Sequence, residues 1–341
     1  MVKDGSEISV VKQTDRIGYQ VVVPLVFTEA GEALVTCFQE FFLAEFNNGN
    51  TREAYGRAII GFFDWAKEAV PEKDLYDFEP LDVVGWRDYL QERFAAATVE
   101  LRISAVRSLF NWLVLHQHLS VNPAKLVKVT RERRKVGKTP YLAPAEARKL
   151  LDSIDVERNV GGKSVPIASG LRDRALICVM LFMFARISAA VGIDVKDVSV
   201  RERRLWILLR EKRGKQQVLP CHHLLERYVR AYIDYLKTVG KDDENGALFR
   251  TLDCRRQITD RRLNRSEAWY MVQRRAKKAE VSSKVCNHTF RATGITAYLS
   301  NENARLEYAQ EIAGHADPST TLMYDRNRET IHQAEVERIE I

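Results

Sequence analysis

A chain of 341 residues is long enough for two domains of ordinary size, each with its own core. Hydrophobic residues at 45% and charged residues at 29% fit a soluble globular protein, and Lys plus Arg outnumber Asp plus Glu by 53 to 46, which leans towards a polyanionic partner. The five cysteines are scattered with no C-x-x-C pair, which excludes a disulfide framework and a thiolate zinc site.

The first thirty residues give little periodicity. Val21-Val-Val-Pro-Leu-Val reads as a short strand or an extended arm, with Pro24 against a central strand, so 1–30 stands as an unassigned N-terminal arm. Met1-Val-Lys-Asp-Gly-Ser-Glu lacks the apolar core of a signal peptide, and a cytoplasmic location is expected. A helical pattern runs from about Glu32 to Phe46. Asn50 with Glu53 has the spacing of a capping box, and Tyr55, Ile59, Phe62 and Ala66 form an apolar stripe behind it. A second stripe is Val83, Trp86, Leu90 and Phe94, and a third is Val99, Ile103, Val106, Phe110 and Leu113, closed by Asn122-Pro123. Residues 31–127 therefore predict a small domain of four helices.

Residues 128–140 are apolar-poor and basic, a linker that either is solvated or straps a phosphate backbone through Lys128, Arg131, Arg133, Arg134 and Lys135. Beyond it, residues 141–326 predict a second domain. Ala143-Pro-Ala-Glu146 opens a helix through Leu151, Gly161-Gly162 lies in a polar stretch, and Leu171 to Phe184 is a buried apolar segment followed by Arg186. The apolar run from Ala175 to Ala185 is too short to cross a bilayer, and no membrane association is expected. Leu205-Trp-Ile-Leu-Leu and Gln217-Val-Leu-Pro flank Glu211-Lys-Arg-Gly-Lys215, which predicts a β-hairpin with Lys212 and Lys215 near its tip. Leu224 to Leu236 is amphipathic. Ala268 to Ala279 predicts a helix with Trp269, Val272 and Ala276 inward and Arg274, Arg275, Lys277 and Lys278 outward. With Arg265, those four form a basic face suited to a polyanionic partner. His116-Gln-His118 and His222-His223 have no third ligand nearby and read as structural, so no metal is expected.

The most informative stretch is Cys286-Asn-His-Thr-Phe-Arg291 through Tyr324. His288 and Arg291 are three residues apart, a spacing that puts both on one helix face. Leu306, Ala309 and Ile312 recur at helical spacing until Gly314, a helix stop that leaves His315 in a loop. Asp317-Pro318 is a helix start, predicted to carry Tyr324 about two turns in. Cations and imidazoles gathered around a phenol point to phosphoryl chemistry with tyrosine as nucleophile.

Arg186-Ile-Ser after an apolar helix, a lysine hairpin, His288-Thr-Phe-Arg291, Gly314-His315 and Tyr324 in T-T-x-x-Y together resemble the tyrosine recombinase (phage integrase) family. The resemblance covers about residues 30–330 and implies a mainly α fold with a small β-hairpin component, in two domains that clamp double-stranded DNA, with 128–140 as the hinge. It implies that Arg186 and Arg291 hold the non-bridging phosphate oxygens and that His288 and His315 donate hydrogen bonds or move protons. Tyr324 would form a 3′-phosphotyrosyl bond, and Lys212, or else Lys215, would protonate the departing 5′ oxygen. It implies a site-specific recombinase that needs neither ATP, metal nor other cofactor. The tail 327–341 is expected to dock on a neighbouring protomer in a tetramer spanning two DNA sites. A strand-relaxing enzyme of the type IB topoisomerase kind and a weakened, DNA-binding relative are the alternatives. One position departs from the family pattern: Ala189 stands where an acidic residue is expected three positions after the first arginine, which implies either lowered activity or substitution by Asp194 or Asp197.

Overall fold

In a computed structural model of the chain, residues 10–14, 20–129, 139–211, 214–281 and 284–325 are described, with side chains from Val22 onward. The arm residues 1–9, most of the basic linker with Arg131, Arg133, Arg134 and Lys135, the hairpin residue Lys212 and the tail 327–341 lie outside them. The chain divides into two compact units, Met1–Arg133 and Arg134–Ile341.

In the first unit, β1 (Val10–Thr14) pairs antiparallel with β2 (Gln20–Pro24), so the strand reading of Val21–Pro24 holds. Pro24 closes a two-stranded hairpin, where its missing N–H breaks no central ladder. A short helix, α1 (Leu25–Glu29), leads to the four expected helices: α2 (Glu32–Glu45), α3 (Gly49–Ala69), α4 (Pro80–Gln91) and α5 (Ala96–Leu115). Their apolar stripes converge on one core containing Phe27, Phe38, Phe41, Phe62, Trp86 and Phe110. Three local expectations change. The cap of α3 is Asn48, whose side chain accepts from Asn50 N–H at 2.9 Å, which puts Asn50 inside the first turn. Phe94 lies beyond the end of α4 and is 39% exposed, with the Arg102 guanidinium over its ring. The helix α5 stops at Leu115, several residues before Asn122-Pro123, as Gln117 turns into a left-handed conformation.

The second unit is built on α7 (Ala168–Phe182), reached through α6 (Pro144–Asp152) and an antiparallel hairpin, β3 (Glu157–Val160) with β4 (Lys163–Pro166), that occupies the polar stretch around Gly161-Gly162. Nearly every residue of α7 from Ala175 to Leu181 is buried, as its unbroken apolar run requires. Next come α8 (Ile187–Val191) and a three-stranded antiparallel sheet of β5 (Val198–Arg201), β6 (Arg204–Arg210) and β7 (Gln216–Pro220), in which β6 and β7 are the expected lysine hairpin. Leu205, Ile207 and Leu209 of β6 face the core at alternate positions. The order continues with α9 (His223–Thr238), the hairpin β8 (Arg250–Leu252) and β9 (Ile258–Arg262), and α10 (Arg265–Lys278), whose Asn264 and Glu267 cap each other reciprocally at 2.9 Å. The last elements are α11 (Asn287–Leu299), α12 (Leu306–Ala313) and α13 (Pro318–Leu322).

Two side chains of α10 face the other way from the sequence reading. Trp269 is 41% exposed, beside exposed Tyr270, while Met271 takes the inward place. Arg275 points inward: its guanidinium grips Asp173 Oδ2 through Nε at 2.9 Å and Nη2 at 2.7 Å, and Asp173 in turn holds Arg172. A buried carboxylate demands such partners, and that demand pulls Arg275 out of the solvent face. Lys278 pairs with Asp155. Arg265, Arg274 and Lys277 remain exposed. Among the described residues no helix is long and apolar enough to cross a membrane.

Helices α7 and α11 touch backbone to backbone at Gly294, where a Cβ would sit 1.9 Å from the Leu181 carbonyl oxygen. No side-chain rearrangement relieves a clash with backbone, so Gly294→Ala should destabilise the second unit by about 2 kcal/mol or more. Thermal unfolding should show a midpoint lowered by roughly 4–8 °C. An unchanged midpoint would mean that the two helices are farther apart than described.

Candidate active site

The sequence motifs converge at the junction of α7, α11 and α12. Just after the cap residue Cys286, His288 and, one turn later, Arg291 share one face of α11. Arg291 is 1% exposed and its hydrogen bonds link three segments. Nη1 donates to the Phe184 carbonyl, and Nη2 donates to the Ala313 carbonyl at 2.6 Å and to His315 Nε2 at 2.7 Å. The Phe184 carbonyl is available because the chain leaves α7 through a left-handed turn, with Phe184 at φ 50. A bulky residue rarely adopts that conformation without compensation. Gly314, at φ 60, ends α12 and sends His315 into the site.

The protons on His315 follow from its partners. An arginine N–H only donates, so Nε2 accepts from Arg291. The ring hydrogen is then on Nδ1, donating to Thr321 Oγ1 at 2.8 Å. Burial first, then the nearby Arg291 and Arg186 cations, push the His315 pKa down to about 3, which agrees with a neutral ring. His288 is lowered by the same causes, and its Nε2 lies 3.1 Å from the Tyr324 hydroxyl. That places an imidazole nitrogen and the phenol within hydrogen-bond distance of each other. Burial and the like charge of Arg186 bring Arg291 itself down to about 10. Tyr324 is 7% exposed and stacks on the His315 ring at 5.9 Å and 9°. It sits in the turn after α13 rather than within a longer helix, because α13 ends at Leu322. The Tyr324 carbonyl accepts from Thr296 Oγ1 at 3.1 Å, which ties this turn back to α11.

Arg186 caps α8 and is bonded to the Glu211 carboxylate at the end of β6. Glu211 was not among the residues singled out by sequence. The available signal was a lone acidic residue beginning an otherwise basic turn, Glu-Lys-Arg-Gly-Lys. Neither carboxylate expected to replace an acid at 189 reaches the site, since Asp194 is held by Arg262 and Asp197 by Arg210 at 2.6 Å. The turn after Glu211 is closed by its N–H bonding to the Lys215 carbonyl at 2.7 Å. The Lys215 ammonium approaches Gly314, and its charge is felt by His315. Gln217 of β7 donates to the Glu311 carbonyl at 2.6 Å, fastening the hairpin to α12. Among the described residues no cluster of three or more His, Cys, Asp or Glu is placed to hold a metal ion.

A phenol touching an imidazole, beside two guanidiniums and a second imidazole, is the equipment of a protein that transfers an anionic group to tyrosine. The chain belongs to the phage integrase family, whose sequence profile matches residues 140–330, and the family's N-terminal SAM-like domain matches residues 38–117. It is 27% identical over 278 residues to the tyrosine recombinase XerD of Ralstonia nicotianae, covering 81% of this chain and 83% of that one. With the tyrosine recombinase XerC of Escherichia coli O127:H6 it shares 29% identity over 274 residues, 79% of this chain and 83% of the relative. Among solved structures, XerH site-specific recombinase in a post-cleavage complex with palindromic difH matches with a TM-score of 0.63 at 18% identity, over 84% and 79% of the two chains. A lambda integrase tetramer bound to a Holliday junction matches at 0.61 and 13% identity, over 90% and 80%. These last two likenesses concern the fold.

The neutral histidines have a thermodynamic signature. Between about pH 3 and 6.5 the unfolded chain takes up a proton at His315 that the folded chain refuses, so stability falls as pH drops through that window. The unfolding midpoint should decrease from pH 7 to pH 5, less steeply in His315→Gln. Equal pH dependence in the two proteins would contradict a buried neutral His315.

Proposed function

We propose that this chain is a site-specific DNA recombinase that breaks and rejoins strands through a phosphotyrosyl bond on Tyr324. The observation that carries the reading is the Tyr324 hydroxyl, 3.1 Å from His288 Nε2 and beside the cations Arg186 and Arg291 and the neutral His315 ring. Membership of the phage integrase family and the resemblance to Xer recombinases support the same reaction.

In the proposed step, Arg186 and Arg291 bind the non-bridging oxygens of the scissile phosphate, a task suited to planar, permanently donating groups. Tyr324 passes its proton to neutral His288 as its oxygen bonds to phosphorus, and the bond from phosphorus to the 5′ oxygen breaks. That oxygen takes a proton from a hairpin lysine. Lys212 is the first candidate, and Lys215 reaches the neighbourhood of His315. Attack by a 5′ hydroxyl on the phosphotyrosine reverses the sequence and joins strands. Each transfer exchanges one phosphate ester for another, so no ATP is consumed. His315, whose Nε2 accepts from Arg291, orients that guanidinium in this proposal.

The partner is double-stranded DNA. The helical unit and the exposed basic face of α10, with Arg265, Arg274 and Lys277, are the proposed phosphate-contacting surfaces, together with exposed Lys128. Arg275 is turned inward onto Asp173 and is left out of the proposed set, whereas Lys278, paired with Asp155 at the surface, stays exposed and belongs to it. A tetramer acting on two sites, linked through residues 327–341, is the proposed assembly.

On a suicide substrate nicked near the cleavage position, the unaltered chain should accumulate a covalent protein–DNA adduct that Tyr324→Phe does not form. No adduct with the unaltered chain would end the enzymatic reading. Removing a single positioned donor, as in Arg291→Ala, should slow adduct formation on the order of 10²–10³-fold. A substrate with sulfur at the 5′ bridging position leaves without needing a proton, so it should rescue the variant lacking the lysine acid and leave the arginine variants slow. Rescue of Lys212→Ala alone names Lys212, and rescue of Lys215→Ala alone names Lys215.

A further inference from the structure

We propose that Glu211 is the positioning carboxylate of this site, supplied from the hairpin in place of the acidic residue that position 189 lacks. The inference rests on the phosphotyrosyl reading above and adds to it a residue that the motif does not contain. Arg186 carries a long side chain with four rotatable bonds at the cap of a five-residue helix, and its own backbone does little to aim the guanidinium. Ala189, on the same helix, is 3% exposed and has no polar atom to offer. Asp194 and Asp197, the nearest acidic residues in sequence, are committed to Arg262 and Arg210. Glu211 bonds to Arg186 with its side chain only 4% exposed, while that of Arg186 remains 27% exposed. The carboxylate is therefore the more enclosed member of the pair, and part of the guanidinium stays accessible.

A carboxylate buried to that degree needs a cation, and Arg186 needs a fixed anchor, so the two constraints satisfy each other. Glu211 also acts on the second arginine. Arg186 and Arg291 repel each other, and the negative charge of Glu211 favours the charged form of Arg291. One carboxylate thus steadies both phosphate-binding cations. Its place is fixed by the N–H bond to the Lys215 carbonyl, at the start of the turn that bears the candidate acid Lys212. The hairpin accordingly delivers a positioning group and a proton donor from neighbouring residues.

The test compares single-turnover adduct formation and DNA affinity in the unaltered chain, Glu211→Gln, Glu211→Ala and Glu211→Ala with Ala189→Glu. Gln keeps the shape and removes the charge. Loss of aim should slow adduct formation on the order of 10²-fold in Glu211→Ala, with DNA binding no weaker because a negative charge has gone. Glu211→Gln should fall between, and the relocated carboxylate of the double variant should recover about tenfold or more of the lost rate. A structural role alone would lower the unfolding temperature and would not be rescued from position 189. Adduct formation by Glu211→Gln and Glu211→Ala within about threefold of the unaltered chain overturns the proposal. If the unaltered chain forms no adduct, the functional reading fails by itself, and crystal structures of the unaltered and Glu211→Ala proteins decide the positioning question. A displaced Arg186 guanidinium supports it, and an unmoved one overturns it.

Discussion

The buried guanidinium of Arg291 is the constraint on which the catalytic unit depends. A cation enclosed to 1% exposure is tolerable only when acceptors surround it, and here they come from the end of α7, the end of α12 and the loop beyond. The end of α7 is far in sequence from α12 and the loop that follows it. Satisfying one side chain fixes where each of them stops, and the left-handed Phe184 and Gly314 are the backbone conformations that bring the carbonyls and His315 within reach. Structure and chemistry are therefore hard to separate at this residue, since the interactions that hold the charge also shape the place where a phosphate would meet it.

The electrostatic design is one of excess positive charge restrained by few acids. Burial first, and then Arg291 and Arg186, push both imidazoles towards the neutral form. His288 Nε2 lies within hydrogen-bond distance of the Tyr324 hydroxyl, while His315 is locked between Thr321 and Arg291. A doubly protonated His315 could not accept from Arg291.

Much of this was legible in sequence because it is local. The three-residue step from His288 to Arg291, the glycine stop at 314, the Asp317-Pro318 start and the Gly-containing turn after β6 are all signals carried by residues within a few positions of one another. What escaped was set by partners distant in sequence. Trp269 and Met271 have similar hydrophobic character, and only the packing of α10 decides that Met271 goes inward. Arg275 reads as a surface charge until Asp173, about a hundred residues earlier, is seen to be buried beneath it. The Arg186–Glu211 pair joins a helix cap to a strand end, and no spacing rule links positions in two different elements. The length of α13 was misjudged for a simpler reason: a start signal says where a helix begins, and the turn at Met323-Tyr324 is fixed by contacts with α11.

The Arg186–Glu211 pair bears on how relatives of this chain are recognised. A motif written as independent columns scores Ala189 as a defect and the acid at 211 as an irrelevant hairpin residue. On the proposed role of Glu211 the two positions answer to the same guanidinium and form one character with two possible addresses. Sorting active from decayed members of such a family then requires asking whether any carboxylate reaches the first arginine, whichever strand or helix it comes from.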